Sequence, residues 1–211
     1  SIIIPVFNES ESIGFLLDEV ISVMATNKLN FELIVVNDGS QDNTQRVLEE
    51  LTLKIKELSV ICLRKNYGQT AAMAAGFDNS NGDIVLTLDG DLQNDPNDIP
   101  KLIAEINLGY DLICGWRFDR KDKLLNRKIP SKIANKLIAK VTGLKLHDYG
   151  CSLKAFKKEI IDDIKLYGEL HRFLPVLANI EGARIKEIKV NHRSRKYGSS
   201  KYGIDRTFRV L

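Results

Sequence analysis

The sequence predicts an α/β fold in which a mostly parallel β-sheet is flanked by helices. Short, continuous apolar runs alternate with segments whose apolar residues recur at helical spacing, and turns of a few residues connect them. This alternation predicts parallel β-α-β units with right-handed crossovers. At 211 residues and 44% hydrophobic content, the chain is large enough to bury a core without disulfides.

The first half of the chain contains the clearest strands and helices. The strands are continuous apolar runs, as expected when both faces of a sheet are buried, and they cover residues 2–6, 31–36, 60–63, 83–88 and 111–116. Helices are predicted from Ser10 or Ser12, from about residue 42 to 55, after Gly68 and from Pro96. In such sheets ligands bind at the carboxyl ends of the strands.

Beyond residue 116 the pattern is less regular. It predicts a basic helix over residues 130–141, an apolar segment over 173–180 and a strand over 185–190. Residues 191–203 are expected to form a mobile basic loop, because they combine glycine and serine with several cations.

Charge is divided unevenly along the chain, although the net charge is only +3. Residues 1–114 carry 7 Lys+Arg against 18 Asp+Glu, a balance of −11, and residues 115–211 carry 24 against 10, a balance of +14. The asymmetry indicates a cation site beside an anion-binding or membrane-facing surface. A solvated basic face without a partner is the alternative.

The cysteines and the apolar windows bear on the cellular setting. Cys62, Cys114 and Cys151 are odd in number and widely spaced, which favours reduced core thiols in a cytosolic protein. No window of about eighteen residues is both apolar and free of charge, and no basic leader precedes the first strand. We therefore expect neither a membrane span nor a signal peptide in this stretch.

Two carboxylates, Asp89 and Asp91, follow the apolar run 83–88 with one glycine between them. A hairpin turn is the competing interpretation of this Asp-Gly sequence, but a helix and not a strand follows at Pro96. In extended backbone the two side chains point the same way, with the amide of Gln93 two residues further on. Oxygen ligands of this kind suit Mg²⁺ or Mn²⁺ and leave coordination positions for phosphate oxygens.

Other strand ends carry polar residues that can reach the same edge of the sheet. Asn8 and Glu9 follow the first predicted strand, Asp38 follows the second, and Arg64 and Asn66 follow the third. The Asn37-Asp38-Gly39-Ser40 sequence has two interpretations: a turn that caps the next helix, or a carboxylate that accepts hydrogen bonds from a nucleoside.

The sequence lacks the motifs that are typical of several other nucleotide-binding and phosphate-processing proteins. The Gly-x-Gly-x-x-Gly sequence of dinucleotide-binding folds does not follow the first strand, and a Walker lysine loop is missing. A phosphatase with an aspartate nucleophile would have the Asp-x-Asp pair near the first strand, whereas here it ends the fourth. Such a phosphatase remains an alternative that predicts an aspartyl-phosphate and no sugar transfer.

Taken together and in this order, the motifs resemble those of the family-two glycosyltransferases of A-type (Rossmann-like) fold. More narrowly, they are similar to the polyprenyl-phosphate glycosyltransferases, the group of dolichyl-phosphate mannose synthase and the bacterial undecaprenyl-phosphate sugar transferases. The matching segments are Pro5-Val6-Phe7-Asn8-Glu9, Asn37-Asp38-Gly39-Ser40, Asn66-Tyr67-Gly68-Gln69 with Ala72 and Gly76, Asp89-Gly90-Asp91-Leu92-Gln93, residues 148–153, residues 173–179 and residues 195–202. Asn37 departs from the pattern, since many relatives have an aspartate there. The other departure is a C-terminal membrane part, which relatives carry after the position where this chain ends.

The resemblance implies inverting transfer of a sugar from a nucleotide-diphosphate sugar to a polyprenyl phosphate of undecaprenyl or dolichyl type at the cytoplasmic face of the membrane. It favours a UDP-sugar, for example UDP-glucose, over GDP-mannose, with an aminoarabinose derivative also open. Mg²⁺ or Mn²⁺ is the expected cofactor. A phosphate monoester is largely dianionic at neutral pH and needs no general base to act as the nucleophile.

The same resemblance assigns roles to individual residues. Asp89, Asp91 and Gln93 are expected to hold the metal, and Asp91, Arg117 and Asp148 to act in catalysis, with Asp148 as an orienting group. The expected donor-binding residues are Pro5, Phe7, Asn8, Glu9, Asp38, Gly68, Gln69, Asp89, Arg117, Arg195 and Lys201. The expected acceptor-binding residues are Arg127, Ser131, Lys132, Ser199 and Ser200.

The domain expectation follows from these assignments. Residues 1–202 form a catalytic domain, with a nucleotide-sugar-binding half at 1–117, an acceptor half with the basic loop at 118–202, and the start of a juxtamembrane helix at 203–211. The partners are the donor, the polyprenyl phosphate and an anionic membrane surface, without nucleic acid, and a homo-oligomer is left open.

Two basic segments each keep a second interpretation. The lysine stripe of the helix over 130–141 is either a solvated face or a surface against anionic lipid. The Gly198-Ser199-Ser200 stretch is either a lid or a basic linker. The alternative function is a nucleotide-sugar or nucleic-acid binding module without transferase activity.

Overall fold

The computed structural model describes residues 1–119 and 142–197, and one mixed β-sheet organises them. The strands are β1 (Ile2–Val6), β2 (Leu33–Asn37), β3 (Leu58–Cys62), β4 (Ile84–Thr87), β5 (Leu112–Trp116), β6 (Lys154–Lys157) and β7 (Ile185–Lys189). The helices are α1 (Ile13–Thr26), α2 (Thr44–Thr52), α3 (Gln69–Asp78), α4 (Ile99–Asn107), α5 (Lys158–Asp163) and α6 (Leu174–Ile180), with 3₁₀ turns at Pro96–Asp98 and Leu170–Phe173. The predicted mostly parallel α/β fold is confirmed.

The strand order is β3-β2-β1-β4-β6-β5-β7, and only β6 runs antiparallel to its neighbours within this described sheet. In register, Thr87 of β4 and Cys114 of β5 both lie opposite Lys154 of β6. The carboxyl ends of β1, β2, β4 and β5 therefore lie at one edge of the sheet. The segment that leads into β6, residues 148–153, enters the sheet at that same edge.

Both faces of the sheet are covered, which explains the continuous apolar runs of the sequence. Along β1, Ile2, Ile4 and Val6 join the apolar cluster beneath α1 and α4, while Ile3 joins the cluster beneath α3 and α6. Helix α3 approaches β1 so closely that a Cβ at Gly76 would lie 2.3 Å from Ile3 Cγ2.

The sequence did not predict β6 or α5. Lys154 and Lys157 place a cation at each end of this four-residue strand, whereas buried strands normally read as uncharged runs. Both cations find partners in the fold: Lys154 Nζ donates to the Cys151 carbonyl oxygen, and Lys157 Nζ lies 2.6 Å from Asp111 Oδ1.

The expectation of core thiols is correct for Cys114 and Cys151 and wrong for Cys62. All three thiols are free, but Cys62 is exposed because β3 forms the edge of the sheet. Burial raises the pKa of the Cys114 thiol to about 12, so this group stays protonated at neutral pH.

Residues 191–197 differ from the predicted mobile loop, because they are anchored to the rest of the structure. The Arg193 backbone N–H donates to the Gln93 carbonyl oxygen at 2.8 Å, and the Arg193 guanidinium bridges Glu19 at 2.6 Å and Asp95 at 2.8 Å. The Tyr197 ring stacks on Phe15 with 5.9 Å between centroids. We call residues 191–197 the anchored segment.

Some predictions fall outside the described residues. These are the basic helix over 130–141, the juxtamembrane helix over 203–211, the glycine-serine stretch at 198–200 and the site residues Arg127, Ser131, Lys132, Ser199, Ser200 and Lys201. Within residues 1–119 and 142–197, no helix has the length and apolar character needed to cross a bilayer.

Candidate active site

A cavity of about 350 Å³ opens at the carboxyl ends of β1, β2 and β4. Its walls are formed by Pro5, Val6, Phe7, Glu9, Asp38, Asn66, Gly68, Gln69, Ala72, Asp89, Gly90, Asp91 and Arg195. Its position is the one expected for ligands of open α/β sheets, and its size is in the range of small-molecule sites.

The turn after β1 is fixed by hydrogen bonds to the turn after β2. Asn8 adopts a left-handed backbone conformation with φ +52°, and its N–H donates to Ser40 Oγ at 2.9 Å. The Glu9 N–H donates to Thr44 Oγ1 at 2.8 Å. These contacts turn Glu9 into the cavity, while Asn8 lies just outside the cavity wall and holds the turn.

Asp38 both lines the cavity and holds the loop before α3. Its two carboxylate oxygens accept hydrogen bonds from the backbone N–H groups of Tyr67 at 2.7 Å and Gly68 at 2.9 Å. Gly68 has φ +97°, a conformation that glycine adopts readily. The Asn37-Asp38-Gly39-Ser40 motif forms a turn whose carboxylate caps the loop before α3 and not the next helix, and a contact of Asp38 with a nucleoside stays a prediction.

Asn37, the residue at which this sequence departs from the motif of the family that it resembles, has a structural role. Its side chain is 3% exposed, its Nδ2 donates to Gln45 Oε1 at 2.8 Å, and its Oδ1 accepts from the Ser40 N–H at 3.0 Å. An ionised aspartate could accept the second bond but not donate the first. The amide therefore fits its surroundings.

Asp89 and Asp91 are positioned by different parts of the fold. Gln69 Nε2, at the start of α3, donates to Asp89 Oδ1 at 2.9 Å, and the Gln93 backbone N–H donates to Asp91 Oδ1 at 3.1 Å. A Cβ at Gly90 would lie 2.8 Å from Val6 Cγ1, so the glycine lets the pair pack directly against β1. Leu92 completes the turn with φ +62°.

The charges around Asp91 are unbalanced. Burial, together with the neighbouring carboxylates of Asp89 and Glu9, raises the pKa of Asp91 to about 6, although the charge of Arg195 and the Gln93 N–H oppose the rise. Arg195 Nη2 donates to Asp91 Oδ2 at 2.5 Å. Within the described part of the chain, the other terminal nitrogen, Arg195 Nη1, is buried without a hydrogen-bond partner.

The carboxylates that line the cavity fit a hard divalent cation. Asp89 and Asp91 supply oxygen ligands, and the pKa of Asp91 is raised first by burial and then by the charge of Asp89, two effects that a bound cation would offset. Among residues 1–119 and 142–197, no group of three His, Cys, Asp or Glu side chains forms a more complete set. The remaining coordination positions would therefore be filled by water or by the ligand's phosphate oxygens.

Gln93, the third expected metal ligand, is turned toward the anchored segment. Its Nε2 lies 3.4 Å from the Arg193 carbonyl oxygen, and its side chain does not line the cavity. Its contact with Asp91 is made through the backbone.

Arg117 and Asp148 form a second centre at the same edge of the sheet. Arg117 Nε donates to Asp148 Oδ2 at 2.7 Å and Nη2 donates to Oδ1 at 2.9 Å, and the two side chains are 13% and 16% exposed. Burial favours the neutral carboxyl, but the hydrogen bonds and charge of Arg117 outweigh it and lower the pKa of Asp148 below its ordinary value. Asp148 is thus held ionised and is a poor proton acceptor.

The cavity contains most of the expected donor-binding residues. Those that line it are Pro5, Phe7, Glu9, Asp38, Gly68, Gln69, Asp89 and Arg195. Arg117 does not line it, because β6 lies between β4 and β5 and moves the end of β5 one strand further away.

Sequence reasoning had given no role to three of the lining residues, Val6, Ala72 and Gly90, and had named Asn66 only as a polar residue at a strand end that could reach a ligand. Ala72 follows Gln69 by three residues on α3, a helical spacing that could have indicated it. No local signal distinguishes Val6 from the other buried residues of β1.

Comparison with known proteins gives matches over nearly all of the chain. Residues 1–165 match the sequence profile described as Glycosyl transferase family 2. The chain is 49% identical over 220 residues to a dodecaprenyl-phosphate galacturonate synthase of Rhizobium johnstonii, covering 100% of this chain and 64% of that protein. It is 44% identical over 203 residues to an undecaprenyl-phosphate 4-deoxy-4-formamido-L-arabinose transferase of Proteus mirabilis, covering 96% of this chain and 62% of that protein. The chain thus spans less than two thirds of the length of these relatives.

A solved structure matches at the level of the fold. Glucosyl-3-phosphoglycerate synthase from Mycobacterium tuberculosis, in complex with Mn²⁺ and UDP-glucose, superposes with a TM-score of 0.72 at 17% identity. The match covers 98% of this chain and 73% of that one.

Proposed function

The chain belongs to glycosyl transferase family 2 and has the A-type fold of such enzymes, and on this premise we propose that it transfers a sugar from a nucleotide-diphosphate sugar to a polyprenyl phosphate. One observation carries the proposal: Asp89, Asp91 and Arg195 meet in a cavity at the strand ends, with the Arg117–Asp148 pair at the same edge of the sheet. The names of the two relatives, both of which include a polyprenyl phosphate, support the acceptor class.

The donor binds in the cavity in this proposal. Asp38, Gly68 and Gln69 contact its nucleoside side, and Asp89 and Asp91 hold Mg²⁺ or Mn²⁺ against the diphosphate. The cation, when bound, would neutralise the negative charge that develops on the departing diphosphate. Arg195 adds a cationic contact, and its buried Nη1 supports this role because it has a donor to offer an anionic oxygen.

The acceptor phosphate enters on the side of Arg117 and Asp148. The phosphate oxygen is the nucleophile and attacks the anomeric carbon in line with the departing diphosphate, which inverts the configuration at that carbon. The lowered pKa of Asp148 supports an orienting role instead of proton abstraction. Asp148 holds the Arg117 guanidinium in a fixed direction, and Arg117 attracts the phosphate.

The nature of the sugar is the finer part of the proposal. The sequence favours a UDP-sugar, with glucose as an example, but the relatives are named for galacturonate and for 4-deoxy-4-formamido-L-arabinose. We propose a UDP-sugar donor, an acceptor presented at the cytoplasmic face of the membrane, and a division of the catalytic domain into a donor half at 1–117 and an acceptor half at 118–202.

Transfer assays with the full-length protein test this function. The protein in membranes would be incubated with undecaprenyl phosphate, Mn²⁺ and, in turn, UDP-glucose, UDP-galacturonate and UDP-4-deoxy-4-formamido-L-arabinose. We expect one donor to give a glycolipid, and we expect chelation or Asp91→Asn to lower the rate at least about 100-fold. Asp18→Asn, on the exposed face of α1, is the matched control and should leave the rate unchanged. Binding of nucleotide sugar without any transfer would instead indicate a binding module.

A further inference from the structure

The carboxylate of Glu187, on β7, is almost fully used by the loop that carries Asp148. Glu187 Oε1 accepts from the backbone N–H groups of His147 at 2.9 Å and Asp148 at 2.8 Å, and Oε2 accepts from His147 Nδ1 at 2.7 Å. The Glu187 side chain is only 9% exposed, although the His147 side chain is 67% exposed. We call this set of contacts the Glu187 clasp.

The Glu187 clasp determines where Asp148 points. Two successive N–H groups bound to one carboxylate fix the peptide planes on both sides of His147, the second of which leads directly into Asp148. From that plane the Asp148 side chain extends to Arg117, with contacts of 2.7 and 2.9 Å. The orientation of the Arg117–Asp148 pair is therefore set by the Glu187 side chain of β7.

The clasp also reaches the end of β5 by a second route. The His147 ring, held by Glu187, stacks on the Trp116 ring with 4.1 Å between centroids and 14° between planes. Trp116 directly precedes Arg117. Glu187 thus fixes both partners of the Arg117–Asp148 pair, one through the backbone and one through stacked rings.

A carboxylate suits these contacts better than a carboxamide. Both oxygens of a carboxylate accept, whereas a carboxamide has one acceptor oxygen and could pair with His147 only if the ring Nδ1 accepted in its turn. Hydrogen bonds to an ionised acceptor are also roughly twice as strong as neutral ones. Burying a charged carboxylate is costly unless such hydrogen bonds are made, so the Glu187 clasp is a specific structural feature of this edge of the sheet.

We propose that Glu187 is a positioning residue for the acceptor side of the reaction. It touches neither the cavity nor the Arg117 guanidinium, and it acts by holding the 147–148 peptide so that the Arg117–Asp148 pair faces the acceptor phosphate. This inference rests on the proposed transfer to a polyprenyl phosphate.

The test is Glu187→Gln in the full-length protein, with the exposed Glu181→Gln as the matched control. Loss of the negative charge that accepts the backbone N–H bonds of residues 147 and 148 weakens the hold on Asp148 and predicts that kcat/KM for the polyprenyl phosphate falls about tenfold. The KM for the nucleotide sugar should stay within about twofold of the parent value, because the cavity is untouched. If Glu187 served only the stability of the fold, Glu187→Gln would impair the kinetics with the donor and with the acceptor to the same extent.

A local readout checks the geometry independently of turnover. Trp116 is the only tryptophan in the sequence, so its fluorescence reports the stacked His147 ring. We expect Glu187→Gln to change this emission, and His147→Ala to change it equally while reducing acceptor kcat/KM less, since the two backbone N–H bonds remain. If Glu187→Gln fails to fold, the shorter Glu187→Asp carries the same test.

The outcomes separate this inference from the proposed function. A parent protein that transfers no sugar to any polyprenyl phosphate overturns the proposed function and this inference with it. An active parent in which Glu187→Gln leaves acceptor kinetics unchanged, or weakens donor and acceptor equally, overturns the positioning role alone.

Discussion

At the scale of single residues, the site is defined by an excess of negative charge, with Arg195 as the cation in contact among the residues that the structure describes. Asp91 is 9% exposed beside Asp89 and Glu9, and Arg195 is the group that compensates it. A sequence can indicate that Asp89 and Asp91 share a direction, because strand periodicity is local. It cannot indicate that Arg195, 104 residues later, ends against Asp91, because that contact depends on the whole fold.

The raised pKa of Asp91 predicts a stability effect with a definite sign. A carboxyl whose pKa is about 6 in the folded state and near 3.8 when unfolded binds more protons folded, so its contribution to stability falls as the pH rises from about 4 to 6. In metal-free protein, Asp91→Asn should therefore raise the free energy of unfolding by roughly 1–3 kcal/mol at pH 7.5 and by little at pH 4. Urea unfolding at the two pH values measures this. An equal gain at both would contradict the charge explanation.

Arg195 should affect metal and diphosphate binding in opposite directions. Arg195→Met removes a positive charge from the Asp91 carboxylate, so Mn²⁺ should bind the free protein more tightly, while affinity for UDP falls about tenfold. Calorimetric titration with Mn²⁺ and then with UDP separates the two effects. Lys196→Met, at an exposed neighbouring position, is the control. Weaker binding of both ligands would mean that Arg195 supports only the shape of the cavity.

At the scale of elements, the sequence predicts strands well where both faces are buried and poorly where tertiary contacts satisfy charges. The five strands of the first half are continuous apolar runs, and each was found within a few residues of its predicted bounds. β6 was not predicted, because the partners of its two lysines are not apparent from the sequence. Lys157 pairs with the distant Asp111, and Lys154 donates to a backbone group, the Cys151 carbonyl oxygen. The anchored segment was predicted to be mobile for the same reason. Its cations look like solvent-exposed charges in the sequence, because Glu19 and Asp95, the partners of Arg193, are distant along the chain.

The anchored segment should depend on Arg193. Arg193→Ala breaks the bonds to Glu19 and Asp95, while the pairing with residues 93–94, the Asn191 N–H bond to Asp98, the Arg195–Asp91 bond and the Tyr197–Phe15 stack remain. We expect faster tryptic cleavage after Lys196 and a several-fold higher KM for the nucleotide sugar, because fewer contacts then hold Arg195 at the cavity. Arg46→Ala, which removes an exposed pair within α2, serves as the control. Unchanged cleavage kinetics would show that the other contacts are enough.

At the scale of the whole molecule, the uneven charge of the sequence corresponds to a division of the fold. The cavity carboxylates belong to the acidic first 114 residues, and Arg117, Asp148 and Arg195 come from the basic remainder. The sequence could therefore predict the composition of the site but not its layout. Arg117 was expected at the donor diphosphate; with β6 inserted between β4 and β5 it is paired with Asp148 and does not line the cavity, so its contact with the donor stays a prediction.

The position of β6, the antiparallel strand of the described sheet, has a consequence for redesign. Neighbouring strands are about 4.8 Å apart, so the end of β5 is displaced roughly 10 Å from the end of β4 by the strand between them. In the proposed function, the residues that hold the donor and those that meet the acceptor are therefore carried by separate, non-adjacent strand ends. Grafting the loop that precedes β6 from a relative with another lipid preference should exchange acceptors while the nucleotide specificity stays that of the host.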